Sequence, residues 1–164
     1  MKGEMVLLPA FNGMDVITFA VEIEKNGRNF YGAVAEKIQD AEVKETFLML
    51  KGQEEQHIKD FEQLLTKTTD QQAQETYDGE YLEYVKALVD NHVFNPDADI
   101  NALADQVKTK AEGINLALRF EKDSIIFFTE LKNIVAPHSK EIVEELINQE
   151  REHIRVLSKI KKED

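Results

Sequence analysis

Apolar residues recur every three or four positions along four long stretches of this 164-residue chain. That spacing gives an α-helix one continuous apolar face. The pattern predicts helix A over residues 15–39, helix B over 41–66, helix C over 109–136 and helix D over 139–161. Short connections inside the A–B and C–D pairs favour an all-α fold, a four-helix bundle built from two helical hairpins.

The predicted helix ends carry residues with a capping or terminating effect. Asp40 is suited to be the N-cap of helix B. Thr109, followed three residues later by Glu112, fits a capping box at the start of helix C. Pro137 cannot continue helix C, because proline lacks an amide proton and clashes with the preceding turn.

Residues 67–108, which we call the crossover, differ in character from the four long helices. A polar segment is followed by Asp78, a candidate cap for a short helix over 79–91, and FNPDAD at 94–99 interrupts the pattern. A second short helix is predicted over 100–108. We expect the crossover to lie outside the main bundle, and a single domain, 1–164, to account for the chain.

Each predicted apolar face is interrupted at one level by ionisable residues. Glu24 precedes the turn at residue 40 by about sixteen residues and Glu54 follows it by about fourteen, so both lie roughly 21–24 Å from that turn. The same reasoning about Pro137 gives Glu121 and Glu150 a common level. We therefore expect six residues to meet in the centre of the bundle: Glu24, Glu54, His57, Glu121, Glu150 and His153.

The two hairpins also resemble each other in sequence. EKNGRNFY at 24–31 matches EKDSIIFF at 121–128, and EEQHI at 54–58 matches EREHI at 150–154. A duplicated plan makes it improbable that these ionisable residues are solvated pairs on helix surfaces, which is the usual explanation of an isolated Glu-x-x-His. Glu55 and Glu152 lie off the apolar faces, and we expect both in solvent.

Four carboxylates brought together in a core require positive charge to offset repulsion and desolvation. Two divalent ions balance four ionised glutamates, with the two histidines as neutral ligands. Carboxylate-rich ligation suits iron or manganese better than structural zinc, although zinc could occupy the same site. The chain has no cysteine, so disulfides, thiol catalysis and cysteine-ligated metal sites are excluded for these residues.

The composition limits the kinds of molecule that this protein is expected to bind. A formal net charge of −12 argues against binding nucleic acid or an anionic membrane surface. The N-terminal apolar patch is too short for a signal peptide, and no apolar run is long enough to span a membrane. We expect a soluble cytoplasmic protein.

The two Glu-x-x-His motifs, each paired with an inward Glu, resemble the ligand plan of the ferritin-like superfamily, and most closely its rubrerythrin-type branch. We place the resemblance at residues 14–66 and 109–161, with none in the crossover. It implies that the six residues are ligands of two iron ions. Glu54 and Glu150 are candidate bridging ligands and Glu24 and Glu121 candidate terminal ones, an assignment that the sequence leaves open.

The resemblance also assigns residues around the ligands. Tyr31, two turns after Glu24, is similar to the family's tyrosine that hydrogen-bonds a ligand carboxylate, and its counterpart in the second half is Phe128. Rubrerythrins tend to carry a further Glu one turn after the helix C ligand. Here that position is Ser124, with Gly27 equivalent on helix A. Small residues at these positions could leave room for a diatomic ligand.

Other conspicuous side chains have simpler interpretations. The aromatic residues Phe47, Phe61, Phe127 and Phe128 are expected to be core. His92 and His138 lie at a helix end or turn with no partner pattern, and we assign neither a functional role.

The resemblance implies an oxidoreductase that reduces peroxide or dioxygen. Without cysteines for a rubredoxin-like site, its electrons would come from an external redox protein or small reductant. Two alternatives stay open: binding or oxidation of iron for storage or detoxification, and a structural bundle whose site holds zinc or stays empty. We expect a homodimer, and the long crossover makes exchange of helices between chains conceivable.

Overall fold

The structure, a computed structural model, describes residues 13–67 and 79–163. That part of the chain contains six α-helices, a short 3-10 helix at Pro137–Ser139 and no strand. The α-helices are α1 (Gly13–Lys37), α2 (Ala41–Lys67), α3 (Gly79–Asp90), α4 (Ile100–Gln106), α5 (Lys110–Ile134) and α6 (Lys140–Lys162).

The four long helices form the predicted bundle. α1 packs along α2 and α5 packs along α6, so the chain makes two helical hairpins that bury their apolar faces against each other. Predicted helices A to D correspond to α1, α2, α5 and α6, with ends that differ by no more than two residues. The all-α fold class is confirmed.

The capping hydrogen bonds predicted at the starts of helices B and C are present in the structure. The Val43 amide donates to Asp40 Oδ1 at 3.1 Å at the start of α2. The Glu112 amide donates to Thr109 Oγ1 and the Thr109 amide donates to Glu112 Oε2, which completes the capping box of α5. α5 ends at Ile134, before Pro137. The predicted cap Asp78 lies outside the described residues.

The crossover is more closely integrated than we expected. α4 packs on α1 and α3 packs on α5. Several of its apolar side chains belong to the same core as the bundle: Val85, Val89, Phe94, Ile100, Ala104 and Val107. The expectation that this stretch lies outside the main bundle is therefore wrong for its described part, because amphipathic α3 and α4 bury their apolar sides against the long helices.

Aromatic rings fill much of the core around the level of the ionisable residues. Phe47, Phe61, Phe127 and Phe128 are all fully buried, as predicted. Phe94 from the crossover packs between Phe30 and Phe120, with ring centroids 4.7 and 4.9 Å away. Among the described residues, no helix is long and apolar enough to cross a membrane.

Candidate metal centre

Six ionisable residues from the four long helices meet in the interior of the bundle. None of them is more than 2% exposed. They lie on the inner faces of their helices and are Glu24 on α1, Glu54 and His57 on α2, Glu121 on α5, and Glu150 and His153 on α6. The structure thus brings together all six residues that the sequence singled out, and their role as ligands stays a prediction.

One group of four surrounds the ring of His57. His57 Nδ1 lies 3.0 Å from Glu24 Oε2, 3.0 Å from Glu54 Oε2 and 3.1 Å from Glu150 Oε1. A single ring N–H cannot donate good hydrogen bonds to three carboxylates at once. Four donor atoms that converge in this way suit a cation held between them.

A second group of four surrounds the ring of His153. Its Nδ1 lies 2.9 Å from Glu150 Oε2, 3.2 Å from Glu54 Oε1 and 3.3 Å from both oxygens of Glu121. The two imidazole rings stack, with centroids 5.4 Å apart and planes 10° from parallel. The donor atoms of each group lie within 4.8 Å of one another, as required to hold a metal ion.

Glu54 and Glu150 belong to both groups. Each places one carboxylate oxygen beside His57 and its other oxygen beside His153. Glu24 belongs to the first group alone and Glu121 to the second. This is the arrangement that two bridging and two terminal carboxylates would need, so it supports the assignment that the sequence left open.

Five of the eight carboxylate oxygens of the four glutamates lack the hydrogen bonds that buried polar atoms normally make. Among the described residues, both oxygens of Glu54, both of Glu150 and Oε1 of Glu24 have no hydrogen-bond partner. Leaving such atoms buried and unpaired costs about 1–3 kcal/mol each, more for charged groups. Divalent cations would satisfy them, and a set of one imidazole and three carboxylates per ion fits iron or manganese.

The pKa values of these groups divide them into two kinds. Burial, together with the charges of Glu54 and Glu150, raises the pKa of Glu24 and of Glu121 well above the ordinary value. Burial would also raise the pKa of Glu54 and Glu150, but the neighbouring imidazoles outweigh it and lower both. The carboxylates in turn raise the pKa of both imidazoles against the opposing effect of burial.

Comparison with known proteins identifies the family of this site. The sequence model of the rubrerythrin family matches residues 15–98, about half of the chain. The chain belongs to the rubrerythrin family. The match runs through residues 67–98, so the expectation that the crossover carries none of the resemblance is wrong. It does not extend to α5 and α6.

A solved structure extends the likeness to nearly the whole chain. This rubrerythrin-family chain is similar to a protein from Thermotoga maritima described as a ferritin-like diiron-carboxylate protein. The TM-score is 0.76 and the sequence identity 27%, over 93% of this chain and 96% of the other. No curated protein matches the chain. A diiron-carboxylate fold neighbour and the buried Glu/His groups together indicate a metal site.

Tyr31 makes the hydrogen bond that the family resemblance implied. Its fully buried hydroxyl donates to Glu121 Oε1, which reaches from α1 to the opposite hairpin. Burial and the charge of Glu121 raise the pKa of Tyr31 well above the ordinary value, so the phenol keeps its proton. Phe128, its counterpart in the second half, packs against Phe61 instead, with ring centroids 5.0 Å apart.

Gln149 contacts the site but was not predicted from the sequence. Its Oε1 lies 2.7 Å from His57 Nε2. If His57 Nδ1 faces a metal ion, Nε2 carries the proton and donates it to this amide oxygen, which fixes the ring orientation. Its position immediately before Glu150, at the border of the inner face of α6, is the only sequence signal for this role.

Two contacts around the site were not predicted from the sequence. His92, to which we assigned no functional role, is buried and its Nε2 lies 3.0 Å from Ser124 Oγ, a contact that does not test that assignment. Gly27 does not leave room for a diatomic ligand, because a Cβ at that position would overlap the ring of Phe120. The space beside Glu24 is therefore filled by an aromatic side chain from α5.

Proposed function

We propose that this chain is a non-haem di-iron carboxylate protein that reduces hydrogen peroxide or dioxygen with electrons from an external donor. The observation that carries the proposal is the sharing of Glu54 and Glu150 between two four-residue groups. Shared carboxylates hold two ions side by side, whereas a single structural ion would need only one group. Membership of the rubrerythrin family supports iron as the metal.

A pair of Fe(II) ions supplies two electrons together, the number consumed when hydrogen peroxide and two protons become two water molecules. The residues of the chain hold and enclose that pair. Glu24, Glu54, His57, Glu121, Glu150 and His153 would be the ligands, and their near-complete burial excludes bulk water from the centre.

Tyr31 holds the terminal carboxylate Glu121 in place and remains protonated while it does so. We assign the protons that the reaction consumes to solvent or to a ligand carboxylate. The 164 residues include no cysteine to bind a further iron ion, so we assign the electrons to a donor outside these residues, a redox protein or a small reductant.

Anaerobic rapid mixing tests the function. Protein loaded with two Fe(II) ions is mixed with hydrogen peroxide, and ferric absorption is followed in time against the same concentration of free Fe(II) in buffer. We expect the protein-bound iron to oxidise faster than free iron, and a chemical reductant to restore the ferrous state for repeated turnover. Oxidation no faster than in buffer would remove the peroxidase proposal.

A second arm separates reduction of an oxidant from metal handling. If dioxygen oxidises the iron, and the ferric product leaves the protein instead of being reduced in place, the chain oxidises iron for storage or detoxification. Iron that stays bound through several cycles of oxidant and reductant supports the oxidoreductase. The matched control is Glu55→Ala, an exposed glutamate beside Glu54.

A further inference from the structure

A hydrogen-bonded pair, His92 and Ser124, lies one turn of α5 from the predicted ligand Glu121 and has no part in the proposed ligand set. His92 follows α3 in the crossover and is 2% exposed, whereas Ser124 lies on α5 and is fully buried. The distance from His92 Nε2 to Ser124 Oγ is 3.0 Å. Two polar side chains from different parts of the chain are thus joined inside an apolar core.

The backbone fixes which ring nitrogen of His92 carries the proton. The Phe94 amide donates to His92 Nδ1 at 3.0 Å, so Nδ1 provides a lone pair. Burial lowers the pKa of His92 to about 3, and the ring is neutral at any physiological pH. A neutral imidazole with an accepting Nδ1 has its only proton on Nε2. His92 is therefore the donor and Ser124 Oγ the acceptor.

Because Ser124 accepts the hydrogen bond from His92, its own hydroxyl proton can be donated to another acceptor. Serine and threonine inside helices commonly donate to the carbonyl four residues earlier, and three threonines of this chain do so: Thr18, Thr46 and Thr129. Within residues 13–67 and 79–163, the Ser124 hydroxyl donates to no such carbonyl or to any other group. The buried Ser124 oxygen accepts a hydrogen bond from His92, but the O–H group has no acceptor among these residues.

Ser124 lies on the side of α5 that faces the centre. Ser124 follows Glu121 by three residues, which places both side chains on the same face of α5. His92 lies close enough to Glu150 for that carboxylate to oppose the fall of its pKa. The equivalent position on α1 is Gly27, which is covered by Phe120 and supplies no hydroxyl to the half of the centre built around Glu24 and His57.

The turn that carries His92 is held from both neighbouring long helices. Asn26 Nδ2 on α1 donates to the carbonyl oxygens of Phe94 and Asn95 at 3.1 and 2.9 Å. On α5, Asp123 Oδ2 accepts from the Val93 amide at 2.9 Å. These contacts hold His92 at a fixed distance from α5. A fixed distance is needed for the His92 hydrogen bond to orient the Ser124 hydroxyl.

We propose that Ser124 donates a hydrogen bond to a small anionic or oxygen ligand bound at the Glu121–His153 half of the centre, and that His92 is the positioning residue that orients it. The donor count leaves a place for such a ligand. One imidazole and three carboxylates supply at least four donors, and ions of this class accept up to six. This inference rests on the proposed metal centre.

Azide tests the proposal, because it is a small anion that binds ferric ions and changes their absorption. The oxidised, iron-loaded protein is titrated with azide, and iron content is measured in the same samples. We expect Ser124→Ala to raise the azide Kd about tenfold with unchanged iron content, the factor that one hydrogen bond to a charged group supplies. Ser139→Ala, at a buried serine before α6, is the matched control and should leave the Kd unchanged.

Variants of His92 separate orientation from simple packing. His92→Leu should weaken azide binding several-fold, and His92→Gln, whose amide can still donate to Ser124, should recover part of the loss. In the Ser124→Ala background, His92→Leu should have little further effect on the azide Kd, because His92 acts only by orienting the hydroxyl that Ser124→Ala has removed.

Several outcomes would overturn the inference. Equal azide affinity in wild type and Ser124→Ala, equal losses in Ser124→Ala and Ser139→Ala, or additive effects of the His92 and Ser124 variants would each do so. Iron-loaded wild type that binds no azide would show that no anion position exists. Protein that takes up no iron would fail the proposed function as well, and the iron measurement distinguishes that case.

Discussion

Tyr31 on α1 donates its hydroxyl proton to Glu121 Oε1 on α5, so a residue of one hairpin fixes a predicted ligand of the other. Both groups are fully buried, and no equivalent bond exists in the second half, where Phe128 replaces the tyrosine. The duplicated halves are therefore chemically unequal at the site.

Replacing that tyrosine removes one hydrogen bond at almost constant volume. We expect Tyr31→Phe to lower the free energy of unfolding by about 1–3 kcal/mol, because Glu121 is left with a buried oxygen that has lost its donor. Urea unfolding measures the change. Tyr84→Phe, at an exposed tyrosine of α3, should change stability by less than about 0.5 kcal/mol. Equal effects of the two variants would contradict this view of the bond.

Shared and unshared carboxylates should differ in how much metal their removal costs. Glu54→Ala removes a donor from both groups, and Glu24→Ala removes one from the first group alone. Elemental analysis of iron-loaded protein should give about two ions per chain in wild type, closer to one in Glu24→Ala, and fewest in the double variant Glu54→Ala, Glu150→Ala. Exposed Glu152→Ala should retain both ions.

The same experiment identifies the metal. Zinc as the only ion found in protein grown with iron available would leave the centre intact but remove the redox function. An unchanged metal content in the double variant would mean that the ions are bound elsewhere.

The pKa shifts at the centre predict how protein prepared without metal responds to pH. The raised pKa values of His57, His153, Glu24 and Glu121 contribute stability at low pH that is lost as pH rises through the shifted values. The lowered values of Glu54 and Glu150 act oppositely, and their contribution is lost as pH falls. Thermal unfolding of metal-free protein should therefore show a fall in Tm on the alkaline side.

Metal loading should abolish that alkaline fall, because cations replace the protons as counter-charge. Up to four protons, two from imidazoles and two from carboxyl groups, should be released per pair of ions, and titration at constant pH measures them. A Glu24→Gln, Glu121→Gln double variant should release fewer. Proton release unaffected by that variant would rule out Glu24 and Glu121 as proton carriers.

Gly27 and Gly52 form a matched pair for testing the packing around the centre. A Cβ at Gly27 would overlap the Phe120 ring, so Gly27→Ala should destabilise the protein by about 1–3 kcal/mol. At Gly52 no atom lies within 4 Å of the added Cβ, and Gly52→Ala should stabilise the helix by up to about 1 kcal/mol. Phe120→Leu should partly restore the Gly27→Ala protein. Stabilisation by both alanines would contradict the close contact.

The sequence was enough to predict the six central residues because each lies on a helix whose periodicity defines its inner face. Their common depth followed from distances to the turns at Asp40 and Pro137, and both turns lie where the capping residues indicated. Periodicity and rise per residue are properties of the helix itself, so no tertiary information was needed.

The partners of Ser124 and Gly27 could not be predicted in this way. His92 reaches Ser124 from an irregular turn whose path depends on Asn26 and Asp123, and no periodic pattern encodes that path. Phe120 fills the space over Gly27 because of the shapes of two facing helices. Shape complementarity between two helices can be recognised only when the positions of both helices are known.

If the two groups bind metal ions as proposed, each hairpin alone is an incomplete chelator. α1 and α2 supply three residues of one group but depend on Glu150 for the fourth, and α5 and α6 likewise depend on Glu54. Neither half would then reach full affinity by itself, so ion uptake and docking of the halves would be thermodynamically linked. The supply of free iron in the surroundings would then help to set how tightly the two halves of the molecule hold together.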